Sequence, residues 1–175
     1  MADTLIHHGR FLDYYTRDGW EFVRRNNASD VVAVIACTAD DDVVLVEQVR
    51  KPLGENGMRV IELPAGLVGD DGNQDVVVAA QRELEEETGF RAAQLAVVSR
   101  GPSSAGLCDE IITMVCARGL ERVGPGGGLP GENITVHLVP RDEVEAWLME
   151  CSEAGLLVDP KVWAGLYIWA SLSDD

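Results

Sequence analysis

Glu83, Glu86 and Glu87 fall at relative positions i, i+3 and i+4 in the run Arg82-Glu-Leu-Glu-Glu-Glu-Thr-Gly-Phe90. On a helix this spacing gathers three carboxylates on one face, where they repel one another unless a cation sits among them. Oxygen-only carboxylate ligation suits Mg²⁺ or Mn²⁺ rather than zinc. The same helix needs an anchor, and Val77, Ala80 and Leu84 are expected to supply it by packing inward on another side. Gly89 is expected to end the helix in the left-handed conformation, with Phe90 making the accompanying apolar contact.

A run of Glu is more commonly a solvated helix face. Such faces usually interleave Lys with Glu at i,i+4, whereas the base nearest these carboxylates is Arg82, adjacent to the first of them. The chain of 175 residues, 46% hydrophobic and 25% charged, is long enough to bury a core and has an ordinary globular composition. Its formal net charge of −16 argues against a nucleic-acid polymer as partner, since no basic stripe exists to release counterions. Arg50, Lys51, Arg59 and Arg82 are the cations near the acidic helix available to hold a diphosphate. No apolar run approaches the ~20 residues of a membrane span, so no membrane partner is expected. The start, MADTLIHHGR, has neither a basic beginning nor an apolar signal core, and Cys37, Cys108, Cys116 and Cys151 have no Cys-x-x-Cys spacing. Both features lead to the expectation of a cytoplasmic protein with reduced thiols.

Strand periodicity predicts one hairpin from 10–16 and 20–25, and a second from 31–38 and 43–50. A short strand at 58–63 leads into a loop and the helix at 74–88. Strands at 94–99, 111–118 and 134–139 follow, then helices at 142–151 and 160–172. Strands with helices on both faces predict an α/β sandwich. Residues 124–128, rich in Gly, are not followed by Lys-Ser or Lys-Thr and are read as a flexible lid rather than a phosphate cradle. Trp163 and Trp169 are expected in the core, and His7, His8 and His137 have no ligand spacing.

The segment from Gly66 to Phe90 resembles the signature of the Nudix hydrolases, Gly-x5-Glu-x7-Arg-Glu-U-x-Glu-Glu-x-Gly-U, in which U is a bulky apolar residue. Arg82, Glu83, Leu84, Glu86, Glu87, Gly89 and Phe90 match its second half. The first half departs: Gln74 stands where the pattern has Glu, and the loop after Gly66 is two residues longer. Asp70, Asp71 and Asp75 are the candidates to replace that carboxylate. Beyond this box, Leu45-Val-Glu-Gln-Val-Arg50 and Ile61-Glu-Leu-Pro-Ala-Gly66 resemble the ADP-ribose pyrophosphatase and nucleoside-diphosphate-sugar branch. So do Ser103–Gly106 with Asp109-Glu110, and Asp159 with Lys161.

The resemblance implies a Nudix α/β/α sandwich with a mixed sheet in residues 27–175. It also implies that the N-terminal β-hairpin in residues 1–26 is a dimerisation element of a homodimer. The implied reaction is Mg²⁺-dependent hydrolysis of ADP-ribose or a related nucleoside-diphosphate sugar. The alternatives are another X-linked nucleoside diphosphate, such as GDP-mannose or a dinucleotide, and a sensing module that binds without cleaving. Glu83, Glu86 and Glu87, with the backbone carbonyl of Ala65, are the implied metal ligands, and Arg82 orients the carboxylates. Glu132 is the implied general base, with Glu121 as the other candidate. Arg50 is assigned to the diphosphate because its fork matches phosphate oxygens, while Gly106 and Glu110 are assigned to substrate by their loop. Trp20 either stacks on a nucleobase or is a core or dimer-interface residue.

Overall fold

In a computed structural model describing residues 2–69 and 75–172, the chain has the element order of an α/β sandwich. The N-terminal strands β1 (Thr4–His8), β2 (Leu12–Arg17) and β3 (Trp20–Arg25) form an antiparallel sheet of their own. The expected hairpin is β2 and β3, turned by Asp18 and Gly19 at positive φ, and β1 adds a strand the periodicity did not suggest.

Two mixed four-stranded sheets make the body. One runs β7 (Ala65–Val68), β4 (Asp30–Ala36), β9 (Ile111–Arg122), β8 (Phe90–Pro102). The other runs β10 (Thr135–Pro140), β5 (Asp42–Arg50), β6 (Met58–Glu62), β11 (Leu157–Val158). Here the second expected hairpin is corrected. β4 and β5 lie in different sheets and touch through one bridge, Cys37 to Val43, while β4 pairs in parallel with β9 and β5 pairs with β6 and β10.

The reason lies in β4 itself. Its odd positions, Ala33 and Ile35, enter one core with Leu45, Met114, Leu148, Val162 and Trp169. Its even positions, Val32, Val34 and Ala36, enter another with Val44, Val115, Ala80 and Leu84. A strand buried on both faces reads as a continuous apolar run and sits at a sheet centre. The first core is closed by α2 (Val144–Glu153) and α3 (Pro160–Leu172), and the second by α1 (Val76–Thr88). Trp169 is buried as expected, but Trp163 lies on the solvent side of α3.

α1 is capped by Asp75, whose side chain accepts the Val77 N–H at 2.8 Å. Asp75 therefore serves the helix end, while Asp70, Asp71 and Gln74 lie outside the described residues. The inward stripe of α1 holds Val76, Ala79, Ala80 and Leu84, and Val77 lines an outer groove instead. Gly89 ends the helix at φ 75°, and Phe90 is buried behind it. Because Leu84 is wholly buried between α1 and β4, Leu84→Ala is expected to cost about 2–5 kcal/mol. Denaturant unfolding checks this, and a loss below about 1 kcal/mol would contradict the packing.

Candidate active site

The helical stripe next to Leu84 carries Ala79, Glu83 and Glu87, so two acids follow an apolar residue into the protein. They meet the Pro64-Ala65-Gly66 turn that opens β7. Glu87 Oε2 accepts the Ala65 N–H at 2.9 Å, and a Cβ on Gly66 would lie 1.9 Å from Glu83 Cδ. Only a glycine lets the turn pass that close. The contact recorded at Ala65 is thus its N–H, given to the same carboxylate that its carbonyl was expected to assist.

Arg82 holds the outer side. Its guanidinium lies 2.9 Å from Glu83 Oε1 and 3.2 Å from Glu86 Oε2, and it donates to the Leu67 carbonyl at 3.1 Å. Arg82 thus bridges two of the three helix carboxylates to the loop after the turn.

These groups line a cleft of about 640 Å³ together with Ala65, Arg50, Glu62, Gln48, Glu110, Glu132, Arg25 and Lys161. Arg50 grips Glu62 with both edges of its fork, Nε to Oε1 at 2.9 Å and Nη2 to Oε2 at 2.5 Å. Gln48 donates to the same Oε2 at 2.9 Å. Glu110 enters from the opposite wall, held by Arg25 Nε at 2.5 Å. Glu132 accepts the Leu129 N–H at 2.7 Å, whereas Glu121 lies on β9 away from the cleft. Of the other cations expected near the helix, Arg59 is tied to Glu47 and Lys51 does not line the cleft.

Two assigned residues fall elsewhere. Trp20, 67% exposed, and Gly106 line a neighbouring hollow of about 530 Å³ with Arg17, Phe22 and Asp109. The 102–112 segment is the wall between the hollows: Ile111 and Asp109 face one, Ile112 and Glu110 the other. Glu62, Gln48, Arg25 and Lys161 are the cleft residues to which sequence reasoning gave no role of their own. Gln48, Glu62 and Lys161 stand inside the runs that carry the branch resemblance, and the i,i+2 spacing of Gln48 and Arg50 puts both on one side of β5.

The Gly-rich stretch is not a free lid. Gly127 N–H and Gly128 N–H donate to the carbonyls of Glu87 and Glu86 at 2.8 and 3.0 Å, capping the end of α1. A Cβ on Gly126 would lie 2.5 Å from Thr88 C. The loop is docked because a helix end leaves carbonyls that need donors.

The profile described as NUDIX domain matches residues 28–164. The chain belongs to the Nudix family. A methanol dehydrogenase activator of Bacillus methanolicus is 41% identical over 62% of this chain and 55% of its own length. An ADP-ribose pyrophosphatase of Bacillus subtilis is 33% identical over 69% of this chain and 65% of its own. The chain therefore spans less than two thirds of either relative. An ADP-sugar pyrophosphatase of Mus musculus is 31% identical over 83% of the chain and 71% of the relative. A crystal structure of an ADP compounds hydrolase superposes with TM-score 0.73 over 98% of this chain and 91% of that one, at 19% identity, a likeness of fold.

Nudix hydrolases use divalent cations, and the donor chemistry of this cleft fits one. Its acids are oxygen donors in excess over the bases beside them, and three of them, Glu62, Glu83 and Glu87, are buried. Among the described residues no three acidic, His or Cys side chains are already closed around one point; Arg82 and the Ala65 N–H hold the carboxylates instead. Burial pushes the Glu87 carboxyl up to about 8, with Glu83 and Glu132 adding repulsion and the Ala65 N–H and Arg50 opposing it. A cation taken up at Glu87 would therefore compete with its proton.

The same shift sets a pH dependence. Between the ordinary value of 4.5 and about 8, the folded, metal-free protein holds a proton that the unfolded chain has released. The stability contributed by this group therefore falls as pH rises through that window. Glu87→Gln keeps an acceptor for Ala65 and removes the titration. Without metal, its Tm at pH 8 is expected to exceed that of the wild type by several degrees, at about 2–4 °C per kcal/mol, with the gap closing toward pH 5. Parallel Tm curves across that range would contradict it.

Proposed function

We propose that this chain hydrolyses the pyrophosphate bond of ADP-ribose or a related nucleoside-diphosphate sugar, giving a nucleoside monophosphate and a sugar phosphate, with Mg²⁺ or Mn²⁺ as cofactor. The observation that carries this is the single cleft in which Glu83, Glu86 and Glu87 face Arg50: anions for a cation beside a fork for a diphosphate. The names carried by the bacillar and murine relatives agree with that substrate class.

A pyrophosphate resists attack because its oxygens are negative. Glu83, Glu86 and Glu87 would hold the divalent cation, which when bound would supply charge neutralisation and a more acidic water. Arg82 holds Glu83 and Glu86 side by side. Arg50, fixed on Glu62 through Nε and Nη2, offers its remaining donors to the diphosphate oxygens. Glu132 takes the proton of the attacking water as its oxygen bonds to phosphorus, and the bridging P–O bond breaks with its electron pair leaving on one phosphate. Glu110 belongs to the substrate wall, while Gly106, on the same segment, lines the neighbouring hollow. The intact acid trio favours cleavage over sensing alone.

A nucleotide-sugar panel with and without Mg²⁺, read by product identity, tests the reading. Glu86→Gln is expected to cut kcat by at least 100-fold while leaving the fold intact, since Glu86 lies at the cleft's open side. Near-normal turnover of Glu86→Gln in saturating Mg²⁺, or no metal-dependent hydrolysis of any member, would refute it.

We further propose that residues 1–26 are the dimerisation element of a homodimer, the remainder being the hydrolase domain. Tyr15 stacks on Phe22 at 5.8 Å and Arg24 covers both rings, yet Leu5, Ile6, Phe11, Leu12 and Trp20 remain exposed. An exposed apolar surface of that extent calls for a cover, and a twofold partner supplies one. With the partner's cleft as the site that Trp20 reaches, Trp20→Ala is expected to raise KM for nucleotide substrates several-fold with little change in kcat, because stacking remote from phosphorus is uniform binding. A monomer by light scattering would refute the dimer, and an unchanged KM would refute the stacking.

A further inference from the structure

Gly126, Gly127 and Gly128 run consecutively at φ 71°, 101° and 76°, a backbone path that residues with a side chain adopt only under strain. What the path achieves is a double attachment. On one side Gly127 and Gly128 donate to the carbonyls of Glu87 and Glu86. On the other, the chain turns at once into the segment bearing Glu132. Leu129 N–H donates to Glu132 Oε2, Glu132 N–H donates back to the Leu129 carbonyl at 3.1 Å, and Ile134 N–H returns to the Gly127 carbonyl at 3.2 Å. The absent side chain of Gly128 is where the Glu132 carboxylate rests: an added Cβ would lie 2.4 Å from Glu132 Oε2 and 2.8 Å from Ile134 Cδ1.

We infer that the Gly126–Leu129 strap positions the Glu132 carboxylate against the acid-bearing end of α1, with Gly128 and the Leu129 N–H as positioning groups for the hydrolytic step. This rests on the reading of Glu132 as general base. The strap makes the last turn of the metal-binding helix and the base one hydrogen-bonded unit, so the base is registered to the two backbone carbonyls of the acids it works beside. Misplacement of a catalytic group by about 1 Å can cost on the order of 100-fold in rate, and a Cβ at Gly128 forces a shift of that size on the carboxylate or on the strap.

The test is a double-mutant cycle on the full chain with ADP-ribose and saturating Mg²⁺. Gly128→Ala is expected to lower kcat by 10- to 100-fold with KM changed less than threefold. The double variant Gly128→Ala/Glu132→Gln is expected to be no slower than Glu132→Gln alone, since a misplaced base and a missing one are the same defect. Leu129→Pro, which deletes the donor to Glu132 while leaving the Gly127 and Gly128 N–H groups in place, is the second variant should Gly128→Ala fail to fold, and the same non-additivity is expected. Gly124→Ala, where a Cβ meets only Gly89 Cα at 4.0 Å, keeps wild-type turnover. A drop in Glu132→Gln combined with multiplicative losses in the cycle, or with wild-type kcat in Gly128→Ala, would overturn the strap alone. Wild-type turnover in Glu132→Gln would instead overturn the assignment of the base, and the strap's role with it.

Discussion

Glu87 carries its carboxylate to a place where 5% of the residue meets solvent and the Ala65 N–H meets one of its oxygens. Desolvating a carboxylate is costly, and a second acid, Glu83, is buried one helical turn before it. The surrounding structure makes this tolerable. Gly66 gives room for Glu83, Arg82 spans Glu83 and Glu86, and β7 holds the turn against β4. Leu84, on the adjacent stripe, locks α1 to the sheet so that the acids cannot retreat to solvent. The helix is thus held by its apolar stripe in a position its charged stripe opposes, and a bound cation relieves the conflict.

The opposing wall follows the same logic with opposite sign. Arg50, Gln48 and Glu62 form one network across β5 and β6. A buried Glu needs donors, and Arg50 supplies two at fixed geometry. The arginine is therefore oriented by an acid that is not itself near the end of α1 in the chain, and the orientation exists before any substrate arrives. Preorganisation of this kind lowers the ordering cost of binding.

The acid helix was legible in the sequence because its determinants are local: the i, i+3, i+4 spacing of the acids, Leu84 beside them and Gly89 at the end. The Glu62 network was not, since it depends on which strand lies beside β5; the Ile61–Gly66 run marks the segment but not the partner of its Glu. The supposed hairpin of β4 and β5 failed for a related reason. Asp40, Asp41 and Asp42 read as a tight turn, but an apolar run buried on both faces takes its partner from β9, far along the chain. The Gly-rich loop was read as a flexible lid, but it is docked on the carbonyls of Glu86 and Glu87, which only the folded arrangement brings to it. Trp20 and Gly106 were assigned to the substrate, and within one chain they line a hollow other than the acids' cleft.

The parallel pairing of β4 with β9 has a consequence for the newly made chain. Val31 to Cys37 leaves the ribosome long before Ile111 to Ala117, so a stretch of seven uncharged residues of mostly high β-propensity waits without its partner strand. Segments of that kind are the ones that pair with copies of themselves. Asp30 on one side and Asp40, Asp41 and Asp42 on the other bracket it with like charge, an arrangement that discourages two nascent copies from stacking in register. In the finished fold the same Asp30 is neutralised by Arg100 at 2.8 Å, so the guard that repels other chains early is later used to tie β4 to β8 of its own sheet.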